Sequence, residues 1–335
     1  MSSNVAALAA LAAASTAFAQ STATISGSIS VGVVDTGAAG DTSQVFHLGN
    51  GANAININTV EDLGGGLKGG FSAQIRYNAA NGNMNSNVGG TTTNPLFHAA
   101  NAYLSGGFGT VRIGRIAEAS TCGLDPWACG GGAAMAAGVG VSSLAGAGSQ
   151  ASSISYATPT VSGFSAGYQT TLTPAAGTAA SATAAVGRTN ERSVLNVNYA
   201  NGPITAMLLQ VDGGASTGTT AADDTSKANA IGASYNFGVA KLNLVNVVNK
   251  SAAGVKTADV TSLSATMPMG AYTLLAGYSK SKTGTGYTAT AVNDTKIAAG
   301  VNYALSKRTT LGADVFKAEA ANAGTGFVLR MAHTF

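Results

Sequence analysis

Few side chains in this chain of 335 residues could make or break bonds, and their spacing argues against a catalytic centre. Gly163-Phe164-Ser165-Ala166-Gly167 fits the string G-x-S-x-G, in which a serine nucleophile sits on a sharp strand-to-helix turn backed by a histidine and an acid. Here the string lies in an alternating stretch punctuated by glycine, and Gly70-Phe71-Ser72-Ala73 repeats its core. Strand punctuation is the better reading. GGGLKGG at 64–70 lacks the G-K-[ST] ending of a phosphate-binding loop. His47, His98 and His333 have neither metal-ligand spacing nor a neighbouring cysteine or carboxylate cluster, so neither metal nor cofactor is expected. Cys122 and Cys129 are the only cysteines, too few for a disulfide-stapled mini-protein. In an oxidising compartment a disulfide between them is preferred to two free thiols. The chain is not expected to be an enzyme.

What remains is charge, and it is scarce. Charged residues make up 9% of the chain, against roughly 25% in soluble domains. The net charge of +3 is spread out, without the basic run that marks a nucleic-acid footprint. No stretch approaches the ~18 consecutive apolar residues of a membrane helix. The 45 glycines, with abundant Ser, Thr and Asn, disfavour helices because they cost backbone entropy or compete for backbone hydrogen bonds.

The elements that hold these charges are strands. Leu67, Gly69, Phe71, Ala73, Ile75 and Tyr77 alternate with Lys68, Gly70, Ser72, Gln74 and Arg76, a period of two. The same rhythm runs through 24–33, through 296–303 and to the end, where Phe327, Leu329, Met331, His333 and Phe335 oppose Val328, Arg330, Ala332 and Thr334. Such a strand separates an oily phase from a wet one. Sixteen segments of about ten residues can be marked, from 22–34 to 325–335, although 204–212 and 239–249 alternate poorly. Short turns, as at Asn201-Gly202-Pro203 and Met269-Gly270, take turns with long segments near 79–95, 117–150, 173–189, 213–227, 250–258 and 282–293.

Short connections at one end and long ones at the other are the habit of transmembrane barrels. The expected fold is therefore all-β, a sixteen-stranded antiparallel transmembrane β-barrel. Only closed sheets or helices pair every backbone group in hydrocarbon, and at sixteen strands the interior is too wide for side chains to fill. A water-filled passage is implied. Residues 1–19, with the apolar AALAALAAAST and the small-x-small end Ala17-Phe18-Ala19, read as a signal peptide. Its n-region is atypical, since Met1-Ser2-Ser3-Asn4 carries no Lys or Arg. The barrel domain would be 20–335.

Several strings at strand–turn junctions, spread over the chain, resemble the Gram-negative porins of β-proteobacteria. They are EDLGGGLKGGF at 61–71, LSGGFGTVRIGR at 104–115, NGP at 201–203, ASYNFGVAKL at 233–242, LSKRTTL at 305–311 and the terminal Phe335. The resemblance implies a homotrimer in the outer membrane, among outer-membrane lipids and lipopolysaccharide, for passive diffusion of ions and small hydrophilic solutes. It implies a third extracellular loop folded inward to narrow the pore. It also implies that Phe327, Leu329, Met331, His333 and Phe335 form a C-terminal signal read by the barrel-assembly machinery. The chain departs from the family before the EDLGGGL turn and at FHAANAY, 97–103, where arginines are common and none is present, and the loop holds GGGAAMAAGVGVSSLAGAG at 130–148.

Arg112 and Arg115 match the family's strand-to-loop junction. With Arg76 they are expected to form a positive wall, opposed by Glu118 and Asp125 from the loop. Charges so placed set the field on a permeating ion; the plainer reading is that some are solvated rim charges. Lys68, Lys307 and Arg308 lie beside short turns and read as rim residues. The competing function is a secreted or surface-anchored β-rich adhesin, which would show repeats of fixed length. None is seen.

Overall fold

Alternating apolar and small polar residues leave the backbone no better partner than a neighbouring strand, and the chain pairs into one sheet. A computed structural model describes residues 21–37, 40, 42–47, 53–84, 96–124, 149–172, 192–213, 225–251, 254–283, 293–319 and 324–335. The expected signal segment, Asp125 and Cys129 lie outside them. The first strands are β1 (Thr22–Asp35), β2 (Gln44–His47), β3 (Ala54–Gly64), β4 (Leu67–Arg76), β5 (Ala99–Gly106) and β6 (Gly109–Ala117), followed by a single 3-10 turn, η1 (Thr121–Leu124). Then come β7 (Ser149–Ala157), β8 (Phe164–Thr171), β9 (Ser193–Asn201), β10 (Ile204–Asp212), β11 (Thr225–Asn236) and β12 (Lys241–Ser251). The last are β13 (Lys256–Met269), β14 (Tyr272–Thr283), β15 (Asn293–Ala304), β16 (Thr309–Ala318) and β17 (Thr325–Thr334).

Apart from β2 and β3, sequence neighbours pair antiparallel, and the two ends of the sheet meet. β17 runs beside the second half of β1, from Ser28↔Thr334 to Asp35↔Phe327. The first half of β1 pairs with β3, from Thr22↔Val60 to Ser28↔Ala54. The four-residue β2, which alternation does not announce, pairs with Val31–Val34 on that same flank. β2 and β3 thus act as one interrupted strand, and the sixteen long strands close a ring without a free edge.

Closure gives every strand an outer and an inner face. Leu195, Leu208, Ile231, Leu244, Leu263, Tyr278, Ile297, Val315 and Leu329 are exposed, and the pairing registers link all of them on one face. An apolar belt of this extent does not suit water; it suits hydrocarbon. Phe164 with Tyr199, Tyr235 with Phe237 and Tyr272 with Tyr303 stack on this face beside the short turns, with ring centroids 4.5, 4.6 and 4.8 Å apart. Aromatic girdles mark the membrane–water interfaces of such barrels.

The poor alternation of β10 and β12 has a structural cause. Val194, Leu209, Val211, Ala228, Ala230, Val245 and Val247 form a buried apolar cluster on the inner face of β9–β12, and Leu124 of η1 completes it. The inner wall there is apolar because another segment covers it, so both faces of these strands read as hydrophobic.

The seam between the first and last strands depends on one close approach. Gly27 and Phe335 exchange two backbone hydrogen bonds of 3.0 Å. A Cβ on Gly27 would run into the Phe335 ring and come within 2.6 Å of the Ala54 carbonyl oxygen. Gly27→Val is expected to weaken closure by on the order of 1–3 kcal/mol, the cost of overpacking a fixed site. The check is the folded fraction by heat-modifiable electrophoretic mobility, with Ser26→Ala unchanged.

Candidate functional site

The functional surface is the inner wall, and local register decides which polar groups line it. On β3 and β4 the pairs Ala54↔Arg76, Asn56↔Gln74 and Asn58↔Ser72 face inward. Arg76 Nε donates to Gln74 Oε1 at 2.7 Å, Gln74 Nε2 to Asn56 Oδ1 at 2.9 Å, and Ser72 Oγ to Asn58 Oδ1 at 2.7 Å. On β5 and β6 the inward pair Tyr103↔Arg112 continues the wall. Arg112 Nη1 donates to Asn101 Oδ1 at 3.1 Å, its guanidinium lies 5.0 Å from the centre of the Tyr103 ring, and the Tyr103 hydroxyl donates to the Thr59 carbonyl at 2.9 Å. Both arginines are therefore oriented by neutral acceptors and a ring face, which hold the charge without cancelling it.

Arg115 does not share that phase. It pairs opposite Ala100, in step with the exposed Ile113, and its Nε donates to the His98 carbonyl at 3.1 Å beyond the start of β5. Pairing between β6 and β7 shifts register at this level, between Gly114 and Ile116. The break falls at Arg115 itself, and Arg115 and Arg76 both act electrostatically on the buried His98.

Glu118 has a different role from an open acidic pole. Its carboxylate is gripped by Arg192 through both Nε and Nη2, the latter at 2.9 Å, with side chains 0% and 3% exposed. Arg192 is itself fixed where β8 hands over to β9: its amide donates to Thr171 Oγ1 at 2.8 Å and its carbonyl accepts from the Thr171 amide at 2.9 Å. A bidentate arginine–carboxylate pair is geometrically exacting. Here it ties the chain leaving β6 to a wall three strands away. Farther along, Leu124 reaches β10, β11 and β12 and enters a notch at Gly232, where a Cβ would collide with it. Residues 117–124 therefore run along the inside of the barrel from β6 to β12. Cys122 lies in η1, with its side chain outside the described residues, as is all of Cys129.

On the opposite wall Arg330 is held by Asp314 through Nη1 and donates from Nη2 to Asn302 Oδ1 at 2.6 Å. Sequence reasoning missed this pair and Arg192. The Asp314–Arg330 contact was latent in the last hairpin, since Gly312↔Arg330 and Asp314↔Val328 are register neighbours. The Glu118–Arg192 contact joins positions 74 residues apart, with no local signal.

Ser165 of the G-x-S-x-G string stands inside β8 opposite Asn198, without the turn a nucleophile elbow needs. No three His, Cys, Asp or Glu side chains gather as a metal site among the described residues. His333 lies in β17 with Nδ1 2.9 Å from Thr309 Oγ1. Phe327, Leu329, Met331 and Phe335 share the exposed outer face.

A lipid-compatible exterior, a charged interior too wide to fill and a segment along the inner wall define a transmembrane β-barrel channel. A family model described as Gram-negative porin matches residues 5–322, and the chain belongs to the Gram-negative porin family. It is an outer-membrane, multi-pass barrel that forms a water-filled channel for passive diffusion of ions and small hydrophilic solutes. Family and fold are those of non-enzymatic channels, and the adhesin reading is not favoured. No curated protein sequence matches. Among solved structures, an anion-selective porin from Comamonas acidovorans is 25% identical, with a TM-score of 0.69 over 94% of this chain and 100% of that one. OmpF of Salmonella typhi, in complex with daunomycin, is 12% identical with a TM-score of 0.66, over 93% of this chain and 97% of that one. OmpT of Vibrio cholerae in its trimer form is 11% identical with a TM-score of 0.64, over 94% and 99%. The last two share the fold.

Arg192→Met leaves the Glu118 charge buried without its fork and should destabilise the barrel by about 3–5 kcal/mol, whereas the double change with Glu118→Leu should recover much of the loss. Urea unfolding in lipid vesicles measures both.

Proposed function

We propose that this porin is an anion-preferring general-diffusion channel. The observation that carries the reading is an imbalance on the inner wall. Among the described side chains facing inward, the buried carboxylates Glu118 and Asp314 are each held by an arginine, and Asp62 stands opposite Lys68 beside a short turn. Arg76 and Arg112 are oriented by neutral groups instead, and Lys241 faces inward opposite Thr266. A permeating ion therefore meets a positive field, which charged rings convert into selectivity. The likeness to the anion-selective porin from Comamonas acidovorans points the same way.

The segment after β6 supplies the constriction in this reading. Its support is the double attachment of residues 117–124, at Arg192 and in the Gly232 notch. Arg76 and Arg112 face it as the charged wall, and Arg115, which with Arg76 acts on the buried His98, joins them at the register break. Asp125 and a Cys122–Cys129 disulfide would extend the same loop. Assembly as a homotrimer follows from family membership, as OmpT of Vibrio cholerae has a trimer form. The alternate apolar residues ending at Phe335 serve as the insertion signal for the barrel-assembly machinery, residues 1–19 direct export, and the channel passes solutes without chemical turnover.

Arg76→Glu/Arg112→Glu should move the zero-current potential in a KCl gradient towards that of a cation channel, with folding retained. A potential equal to that of the unmodified protein removes both residues from the conducting path. Gly232→Leu, which evicts Leu124 from its notch, should raise or destabilise single-channel conductance in planar bilayers; identical steady currents would detach η1 from the constriction.

A further inference from the structure

One corner of the wall holds polar nitrogens that the chain leaves without partners. His98 stands just ahead of β5, at the end of the barrel away from the short turns, and is 3% exposed. Its amide donates to the Gln74 carbonyl of β4 at 2.8 Å, and its own carbonyl accepts from Arg115 Nε of β6 at 3.1 Å. The charges acting on its ring are those of Arg76 and Arg115, on the two strands that flank β5. Two buried side-chain nitrogens there, His98 Nδ1 and Arg115 Nη2, have no hydrogen-bond partner among the described residues. Nearby amide oxygens are already engaged: Gln74 Oε1 accepts from Arg76, and Asn101 Oδ1 accepts from Arg112. The inner carboxylates are engaged elsewhere, Glu118 with Arg192 and Asp314 with Arg330.

A buried donor left unpaired loses its hydration and gains nothing in return. Two cations beside it with no carboxylate in reach make that loss larger. A bulge re-aims a side chain, and the register shift between Gly114 and Ile116 falls at Arg115. Burial first, then Arg76 and Arg115, push the His98 imidazole down to about 3, so the ring is neutral near pH 7 and carries one N–H. A water molecule between the two nitrogens would satisfy both and leave the charge uncompensated. A small anion does more. It accepts from Arg115 Nη2 and from an Nδ1–H of His98, and it opposes both guanidinium charges.

We propose that His98 and Arg115, within the field of Arg76, hold one resident halide-sized anion, chloride in ordinary salt, inside the wall where β4–β6 meet the loops. This ion does not permeate. It sits behind the conducting path, because the ring that holds it is closed off from water. The site shares with the anion-preferring reading only the need for positive charge on this wall. It adds a place and a ligand, a single ion that stays while others pass. Chloride binding and protonation of His98 then favour one another by the same factor.

The test uses the full-length folded protein in detergent, in potassium chloride and in potassium gluconate, whose anion is too large for a niche within the wall. Histidine-selective 15N labelling lets NMR follow each imidazole through a pH titration. Raising chloride from about 1 to about 300 mM at constant ionic strength should lift the His98 midpoint by at least about one pH unit, a tenfold coupling. The His333 midpoint, at the short-turn end, should not move. Chloride should also raise the thermal midpoint above that in gluconate by at least about 2 °C, as for a ligand that binds only the folded state. Arg115→Gln and His98→Phe should each abolish that difference, and Lys307→Gln should keep it. Crystals grown in bromide should show anomalous density within hydrogen-bond distance of Arg115 Nη2. A His98 midpoint that is the same in both salts, the behaviour of a bound water, overturns the proposal. A bromide peak without any chloride dependence in solution is binding at crystal concentration only and overturns it too. Should Arg115→Gln fail to fold, His98→Phe decides, and a retained chloride effect there counts against the site. The zero-current potential in a KCl gradient tests the anion preference separately, and neither result requires the other.

Discussion

Hydrocarbon offers a backbone amide no partner, and every feature of this molecule answers to that fact. A sheet can cross a bilayer only if its first and last strands find each other. In this chain β17 meets β1 over Ser28–Asp35, and the terminal residue finishes the seam at Gly27. Once the ring is closed, pleating assigns successive residues to lipid and to water. The scarcity of charge, the abundance of small residues and the exposed leucines and valines then have a common origin. The outer wall must be oily, and the inner wall must be wet without being crowded.

Charge inside the ring is sorted by whether it is fastened or held open. Two carboxylates are locked to arginines, one pair at the departure of the segment after β6 and one on the opposite wall. Arg76 and Arg112 instead lean on amide oxygens and a tyrosine ring. The first arrangement gives shape, because removing either partner strands a buried charge. The second gives field, because neutral acceptors orient a guanidinium and leave its charge in place. Anchoring and selectivity thus use the same residue types in different company.

Much of this was legible in the residue order, because a two-residue period survives in any window. The strands, the short and long connections and the inward phase of Arg76 follow from counting alternate positions. Arg115 was harder to place: it stands three residues after Arg112, an odd interval, but the register break beyond Gly114, which has no marker in composition, falls at Arg115 itself. Glu118 carried no sign that Arg192 would cover it, since the contact depends on three-dimensional closure across β7 and β8. The blurred alternation at β10 and β12 was itself informative. It marked the patch of wall where Leu124 lies, although only the packing could say what covered it. β2 escaped notice because four residues are too few to establish a period.

The central claim is that sixteen strands enclose a continuous aqueous path with walls of opposite character. Planar-bilayer recording of the purified protein across a series of KCl concentrations addresses it most directly. A water-filled channel gives ohmic steps whose conductance rises in proportion to the conductivity of the bathing salt. Folded, heat-modifiable protein that inserts yet carries no current, or a conductance that saturates at low salt, would contradict an open path through the ring.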